Sequence, residues 1–504
     1  MDKQIKVLTI PSDTQGVGHF RNIWPAQILH KKYSDEIKVD INPQINFNNI
    51  DYMAEYDIIH FHRQLGPYKD FAKLAEELKK RGVIIIMDID DYWDIPVTHP
   101  LYDQIVKEKL AEKVESNLRY SDYVTTTTDA FKNVIEKFNK NVFVVPNALN
   151  MEHKMWKNPE VAKTTDKCRI AWIGGSSHYH DLKPVDYSFK KLIRNNDLKD
   201  KFQFVLCGFD TRGNVSEQMP DGSVKNRPIK PHETIWVKFE NIFTNNFALI
   251  DGDDDYKEWL SKFKKGNYEG EYDKNYVRRW TLPLTKYGYH YDYCDVCLAP
   301  LESTETYKEA KDNKGVLHRI QPDHPAKGTI KTRPHIFNEV KSELKIIEAG
   351  MKNKVLIAQD FGIYKDLIID GENGLLVDEH DKKGWYKAIK KVIDDPKLRE
   401  KLSNNLNKFI KERYDLENIA KLRLDIYKQL MKNKENGSLD EVRKKQKELI
   451  EEFNEKNDLP DENGFKKLPK TLHQYKNPIS KKEIYRIAKD VFSKSSKETK
   501  NRPY

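Results

Sequence analysis

A chain of 504 residues is longer than one ordinary hydrophobic core can organise, which points to two domains plus extensions. With 38% hydrophobic and 33% charged residues, no apolar stretch approaches the length of a membrane-spanning helix, yet runs such as VIIIM, FVLC and VLIA are apolar enough to fill sheet interiors. The net charge of +9 (88 basic minus 79 acidic residues) is carried by residues 466–504, where twelve Lys and Arg face three acids, so the rest of the chain is neutral in sum. Such a tail suits phosphate, nucleic acid or an anionic membrane surface better than it suits a core. The opening MDKQIKVLTIP runs into a strand without a basic and apolar leader, from which a cytoplasmic location is expected. Four cysteines argue against a disulfide framework. Cys294 and Cys297 form a CxxC, but no second ligand pair follows at zinc spacing, and they read as small residues entering a buried strand.

From residue 1 to about 150, β-rich runs alternate with helical ones. IKVLTI, DIIHFH, VIIIMDI, YVTTTT and VFVVPN are separated by helices expected near residues 19–32, 70–81 and 101–119. Residues 149–167 read as a linker. A second alternation follows over 165–430, with RIAWIGG, FQFVLCGF, DVCLAPL, KVLIAQD and GLLV as strands. The predicted fold class is α/β: two doubly wound, Rossmann-like sheets facing a cleft. Residues 210–275 and 302–335 interrupt the second unit and read as long loops, the latter basic and containing proline. Residues 431–504 read as a charged, helical tail. In it SKKEIYRIAKDVFSK sets Ile484, Ile487, Ala488 and Val491 on one face, as a docking helix or a membrane or nucleic-acid contact would.

Several short stretches carry chemistry. DTQGVGHFR follows the first strand and contains Gly16 and Gly18; a dinucleotide fingerprint is incomplete, because Arg21 stands where the third glycine belongs. HFHR ends the next strand, and His60 or His62 there could orient or deprotonate an acceptor hydroxyl, or serve as a hydrogen-bonded structural histidine. DIDDYWDIP brings Asp88, Asp90, Asp91 and Trp93 to a strand end, read as acceptor contacts or loop caps, with a metal the lesser alternative. DGDDD at 251–255 fails the calcium-loop spacing and reads as a solvated turn. In IAWIGGSSHYHDL, Gly174 and Gly175 permit close backbone approach, Ser176 and Ser177 can bond phosphate oxygens, and His178, Asp181 and Lys183 are secondary contacts.

KSELKIIEAG then predicts a helix starting near residues 339–342. Lys341, Lys345 and Glu348 form a polar column along it, beside an apolar stripe of Leu344, Ile347 and Met351. Free N–H groups and two lysines at that start suit a diphosphate, and Glu348, two turns deeper, could bond a hydroxylated group of the same ligand. A solvated helix laced by charge pairs is the plainer alternative.

Together these stretches resemble the GT-B glycosyltransferases, most closely the retaining, nucleotide-sugar-dependent enzymes of glycosyltransferase family four, over most of residues 1–430. Glu348-Ala349 and DGENGLLV at 370–377 match that family's donor-binding pattern, whereas Val340 stands at the position of its first glutamate. The resemblance implies that the second domain grips the donor through Gly174, Gly175, Ser176, His178, Lys341, Ser342, Lys345 and Glu348. Ser342 and Lys345 would contact phosphate and Glu348 a ribose hydroxyl. Gly16 and Gly18 would approach the donor from the first domain. On the acceptor side the candidates are the strand-end residues His60, His62, Asp90, Asp91 and Trp93, and His62, Lys345 and Glu348 are the catalytic candidates. The co-substrate would be a UDP- or GDP-sugar and the acceptor a glycan or other hydroxyl, with neither a metal nor a further cofactor required. A modified base in DNA as acceptor, nucleotide-sugar epimerisation and a non-catalytic sugar-nucleotide binding role stay open as alternatives.

Overall fold

The computed structural model describes residues 4–455 apart from 15, 64, 66–70, 158–164, 211–212, 220–221, 231–232, 245–260, 262–268, 274, 313–314 and 382. The DGDDD turn and the basic tail lie outside the described residues.

Strands β1 (Ile5–Ile10), β2 (Ile37–Ile41), β3 (Ile58–His62), β4 (Ile84–Ile89), β5 (Tyr123–Thr126) and β6 (Val142–Val144) form one parallel sheet in the order β2-β1-β3-β4-β5-β6. Alternation along each strand supplies two apolar faces, as a sheet covered on both sides requires. In β4, Ile84 and Ile86 join one buried cluster and Ile85, Met87 and Ile89 join the other. Strand β2, IKVDI, was absent from the predicted elements; it is an edge strand with only Ile37 and Val39 buried.

The second unit holds β7 (Cys168–Ile173), β8 (Phe202–Phe209), the hairpin β9 (Asn214–Gln218) and β10 (Val224–Pro228), then β11 (Glu269–Asp273), β12 (Tyr276–Trp280) and β13 (Val296–Ala299). It continues with β14 (Thr304–Lys311), β15 (Leu317–Ile320), β16 (Thr329–Pro334), β17 (Val355–Gln359) and β18 (Leu375–Val377). Its main sheet runs β11-β12-β8-β7-β13-β17-β18, parallel except for β11.

Neither insertion is a plain loop. The first contains the helix Trp236–Thr244, whose Trp236, Phe239, Ile242 and Phe243 enter the core of the second unit. The second folds as the antiparallel sheet β15-β14-β16 and reaches the first unit, where Arg319 and Arg333 both pair with Asp94 and Glu305 accepts the Val97 N–H at 2.9 Å. Tyr307 packs there beside Ile95, Val97 and Tyr102.

The predicted boundary at residue 430 also moves. The chain crosses back at residues 414–416, where Leu416 N–H donates to Leu149 O (3.1 Å) beside the outgoing linker. The helix Leu416–Glu435 then covers the Val7–Ile84 face of the first sheet, and the helix Ser438–Glu455 follows it there, Arg443 bonding Asp122 at 3.0 Å. Residues 416–455 therefore belong with the first unit.

On the face covered by the returning helix, the C-terminal halves of the central strands are polar. Asp88 accepts from Arg21 at 2.7 and 3.0 Å and from Thr125 at 2.6 Å, with Arg423 of the returning helix 3.7 Å away. Asp88 is fully buried, and the two arginines outweigh the effect of burial and hold its carboxyl well below the usual range. Asp88→Asn would leave two buried guanidinium groups uncompensated and is expected to lower unfolding free energy by about 3–5 kcal/mol. Urea denaturation of the variant checks this.

Candidate functional site

In each main sheet the winding reverses between two neighbouring strands, β1 and β3 in the first and β7 and β13 in the second. Loops leaving the C-terminal ends of such strands leave a crevice in which ligands of doubly wound sheets lie. The two crevices meet across one seam. Phe20, after β1, packs in a cluster of the second unit, and Val340 of the second unit is buried in a cluster of the first.

On the second unit, Gly174 and Gly175 follow β7 directly. A β-carbon at Gly174 would lie 2.8 Å from the Trp172 ring, which restricts that position to glycine. One at Gly175 would meet nothing within 4 Å, and Gly175 and Ser176 are exposed. Lys345 donates to Ile173 O, at the end of β7, so its ammonium lies beside this loop. Glu348 is 4% exposed and accepts from Tyr291 Oη at 2.7 Å. Gly174, Gly175 and Lys345 are thus brought together, with Glu348 within electrostatic reach of Lys345.

The helix itself differs from the expectation. It spans Leu344–Met351, after a separate turn Ile336–Glu339, so Lys341 and Ser342 precede it instead of heading a polar column. From Ile346 to Met351 it is buried throughout, which excludes the solvated alternative. Lys341 stands further along the seam, 4.2 Å above the Phe337 ring, and His178 is bound to Asp181 at 2.9 Å.

On the first unit, His62 is fully buried at the end of β3. Its Nδ1 lies 2.7 Å from the exposed Ser12 hydroxyl and its Nε2 2.9 Å from Asp90. Asp90 also accepts from Arg63 Nε at 3.0 Å, and Arg63 Nη2 reaches Asp91 at 2.8 Å. Burial would raise the Asp90 pKa, but Arg63 and His62 outweigh it and keep this carboxyl ionised. An ionised carboxylate only accepts, so His62 Nε2 carries a hydrogen and, in the neutral ring, Nδ1 is left as acceptor for Ser12. Arg63 has a left-handed φ of 59°, costly for a residue with a Cβ and held here by its bonds to Asp90 and Asp91.

Three predicted residues take other places. His60 points into the polar core beneath the returning helix, bonded to Tyr427 at 2.6 Å and Thr125 at 3.1 Å, and burial drives its pKa down to about 3. It cannot contact an acceptor. Trp93 is buried among Phe131 and Phe138, with its N–H on Glu115 at 3.2 Å. Gly18 serves its own loop: a β-carbon there would lie 1.9 Å from Asp13 O, and its N–H bonds the Asp13 carboxylate at 3.2 Å. Gly16 does lie at the seam, where a β-carbon would come 3.9 Å from Leu284 of the second unit.

Sequence reasoning passed over Ser12, Tyr291 and Glu343. Glu343 is buried, accepts the Asn147 N–H through one oxygen and leaves the other without a partner among the described residues. No single-sequence signal marks these residues, since each acquires its partner from a distant part of the chain. Among the described residues no group of three His, Cys, Asp or Glu is arranged to hold a metal, and no helix is long and apolar enough to cross a membrane.

Burial pushes the Glu348 carboxyl up to about 7, against the smaller opposing effects of Tyr291 and Lys345. Because the folded pKa lies above the unfolded one, the stability this group contributes is present below about pH 4.5 and lost as pH rises through 7. Glu348→Gln keeps an acceptor for Tyr291 and removes the buried charge. It is expected to be more stable than the parent by about 2–3 kcal/mol at pH 8 and nearly equal at pH 4.5, as measured by thermal and urea unfolding at both values.

Among solved structures, the chain is similar to the sucrose-phosphate synthase of Thermosynechococcus elongatus, at 13% identity over 85% of this chain and 99% of that one (TM-score 0.47). A glycosyltransferase from Rickettsia africae is 12% identical over 86% and 100% (TM-score 0.47). Anabaena HepE, solved with UDP, is 11% identical over 85% and 100% (TM-score 0.45). No curated protein matches the sequence. Residues 344–409, which begin with the Lys345 and Glu348 helix, match the family model of the glycosyl transferases group 1.

Proposed function

We propose that the chain is a glycosyltransferase that moves a sugar from a nucleotide-diphosphate sugar, UDP- or GDP-linked, to a hydroxyl acceptor bound at the seam. The observation that carries this reading is the placement of Lys345 beside the Gly174–Gly175 loop, one turn before Glu348 on a helix that lies in the segment matched to the group 1 transferases. The second unit holds the donor: the loop and Ser176 take the diphosphate, Lys345 neutralises it, and Glu348 accepts from ribose hydroxyls.

Breaking the bond between the sugar and the phosphate leaves negative charge on the diphosphate and positive charge on the ring. A cation held beside the leaving group before reaction lowers that barrier without reorganisation. The acceptor approaches from the first unit, where Ser12 and His62 offer a hydroxyl and a buried imidazole in line with Asp90. In a retaining reaction the departing phosphate takes the acceptor proton on the same face, and His62 then acts through Ser12, orienting the exposed hydroxyl that meets the acceptor. The resemblance of the Lys345–Glu348 and DGENGLLV stretches to the retaining transferases supports retention.

Incubation with a panel of UDP- and GDP-sugars, following nucleoside diphosphate release, tests the proposal. One nucleotide sugar is expected to be consumed, with Lys345→Ala lowering kcat by about 10²–10³-fold, as loss of a leaving-group contact does. Absence of release from every nucleotide sugar, with and without simple glycoside acceptors, would refute it. The anomeric configuration of the product, read by NMR, decides retention.

A further inference from the structure

Phe337, in the turn before the Lys345 helix, is surrounded by cationic and imidazole groups from both units. The His99 ring of the first unit lies 6.1 Å from it, the His335 ring 6.4 Å, and Lys341 Nζ 4.2 Å. His178 joins the cluster through Asp181, which also accepts from Asn338 at 2.8 Å.

The hydrogen bonds assign tautomers. His99 Nδ1 accepts from Leu101 N–H (3.1 Å) and His335 Nδ1 accepts from Asn338 N–H (3.3 Å), so both neutral rings carry their hydrogen on Nε2. Burial and Lys341 keep these rings neutral, His99 down to about 4. Neither Nε2 nor the Lys341 ammonium has a protein hydrogen-bond or ion-pair partner among the described residues. Asp181 lies within electrostatic reach of Lys341, but the hydrogen-bonding oxygens of the nearby acids are taken by other donors. Asp181 is engaged by His178, Asn338 and the Glu302 N–H, and Glu305 by Arg333 and the Val97 N–H. Burial raises Glu302 to about 7.

We infer that this seam cluster of His99, His335 and Lys341 is a subsite for a small anionic group, a phosphate monoester or a carboxylate, separate from the donor's diphosphate. Two N–H donors and an ammonium without an acceptor of their own match the oxygens of such a group. The inference rests on the proposed transferase reading for its consequence: one of the two reacting molecules carries the anion, either on the transferred sugar or on the acceptor.

The first test is calorimetric titration of inorganic phosphate into the protein, alone and saturated with UDP or GDP. Phosphate is expected to bind in both states. His99→Asn, which keeps an acceptor for Leu101 N–H but lacks the Nε2 donor, and Lys341→Met are each expected to weaken it about tenfold, as loss of a charge-assisted hydrogen bond does. His99→Gln, which restores a donor near Nε2, is expected to recover part of the loss.

Two further arms separate the sources. Tighter binding of UDP-glucuronate than of UDP-glucose, lost in His99→Asn, assigns the anion to the transferred sugar. Binding of glycerol 3-phosphate to the nucleotide-loaded protein, lost in the same variant, assigns it to the acceptor. Phosphate affinity that is absent, or unchanged in both His99→Asn and Lys341→Met, overturns the subsite. Failure of every nucleotide to bind overturns the transferase reading instead, while phosphate binding to the nucleotide-free protein still decides the subsite.

Discussion

The buried ion pair between Arg21 and Asp88 is the constraint on which the arrangement of the two units depends. Arg21 leaves the loop after the first strand and bonds Asp88 with two nitrogens, Val145 O at 2.7 Å and the Asn147 side chain at 3.3 Å. The Asn147 backbone N–H in turn donates to Glu343, one residue before the helix that carries Lys345 and Glu348. Arg423 and Tyr427 close the network from the returning helix. A guanidinium and a carboxylate removed from water are tolerable only when nearly every remaining donor and acceptor is satisfied, so the network fixes its members closely. It thereby ties the first sheet, the linker, the returning helix and the donor-side helix into one register.

That register has a chemical consequence. Glu348 is buried and Lys345 half-buried, and burial pushes both toward their neutral forms. An incoming ligand that offers phosphate oxygens to one and hydroxyl donors to the other restores the charges where they then act. Strain at Arg63 and the partly unpartnered Glu343 carboxylate lie at the same seam. Unfavourable local choices gathered in one place mark a site held for binding, not for stability.

The sheets were legible in the sequence because buried parallel strands are written as apolar runs, and the chain alternates them with helices. The donor side was legible for a related reason: Gly174, Gly175, Lys345 and Glu348 lie within short stretches whose local geometry carries the meaning. Edge strand β2 and β12, YVRRW, were missed because charges interrupt their apolar pattern. Arg278 in β12 is buried against Glu240, a pairing that no local pattern announces. The insertion at 302–335 looks loop-like for the same reason, since β16 is mostly exposed and β14 alternates only loosely. His60 and His62 sit two residues apart on one face of one strand. What separates a core histidine from a site histidine is the returning helix, some 360 residues later, which covers only the first of them. The polar column expected on the helix at 341–351 failed because its first member, Lys341, precedes the helix.

Binding of a nucleoside diphosphate tests the central claim most directly. Titration of UDP and GDP into the purified protein by calorimetry is predicted to give one site per chain for one of them. Its affinity should fall in Lys345→Ala and in Glu348→Gln, while His60→Gln, altered in the core beneath the returning helix, should change stability more than affinity. Saturable binding that ignores both Lys345 and Glu348, or no binding of either nucleotide, would contradict the account.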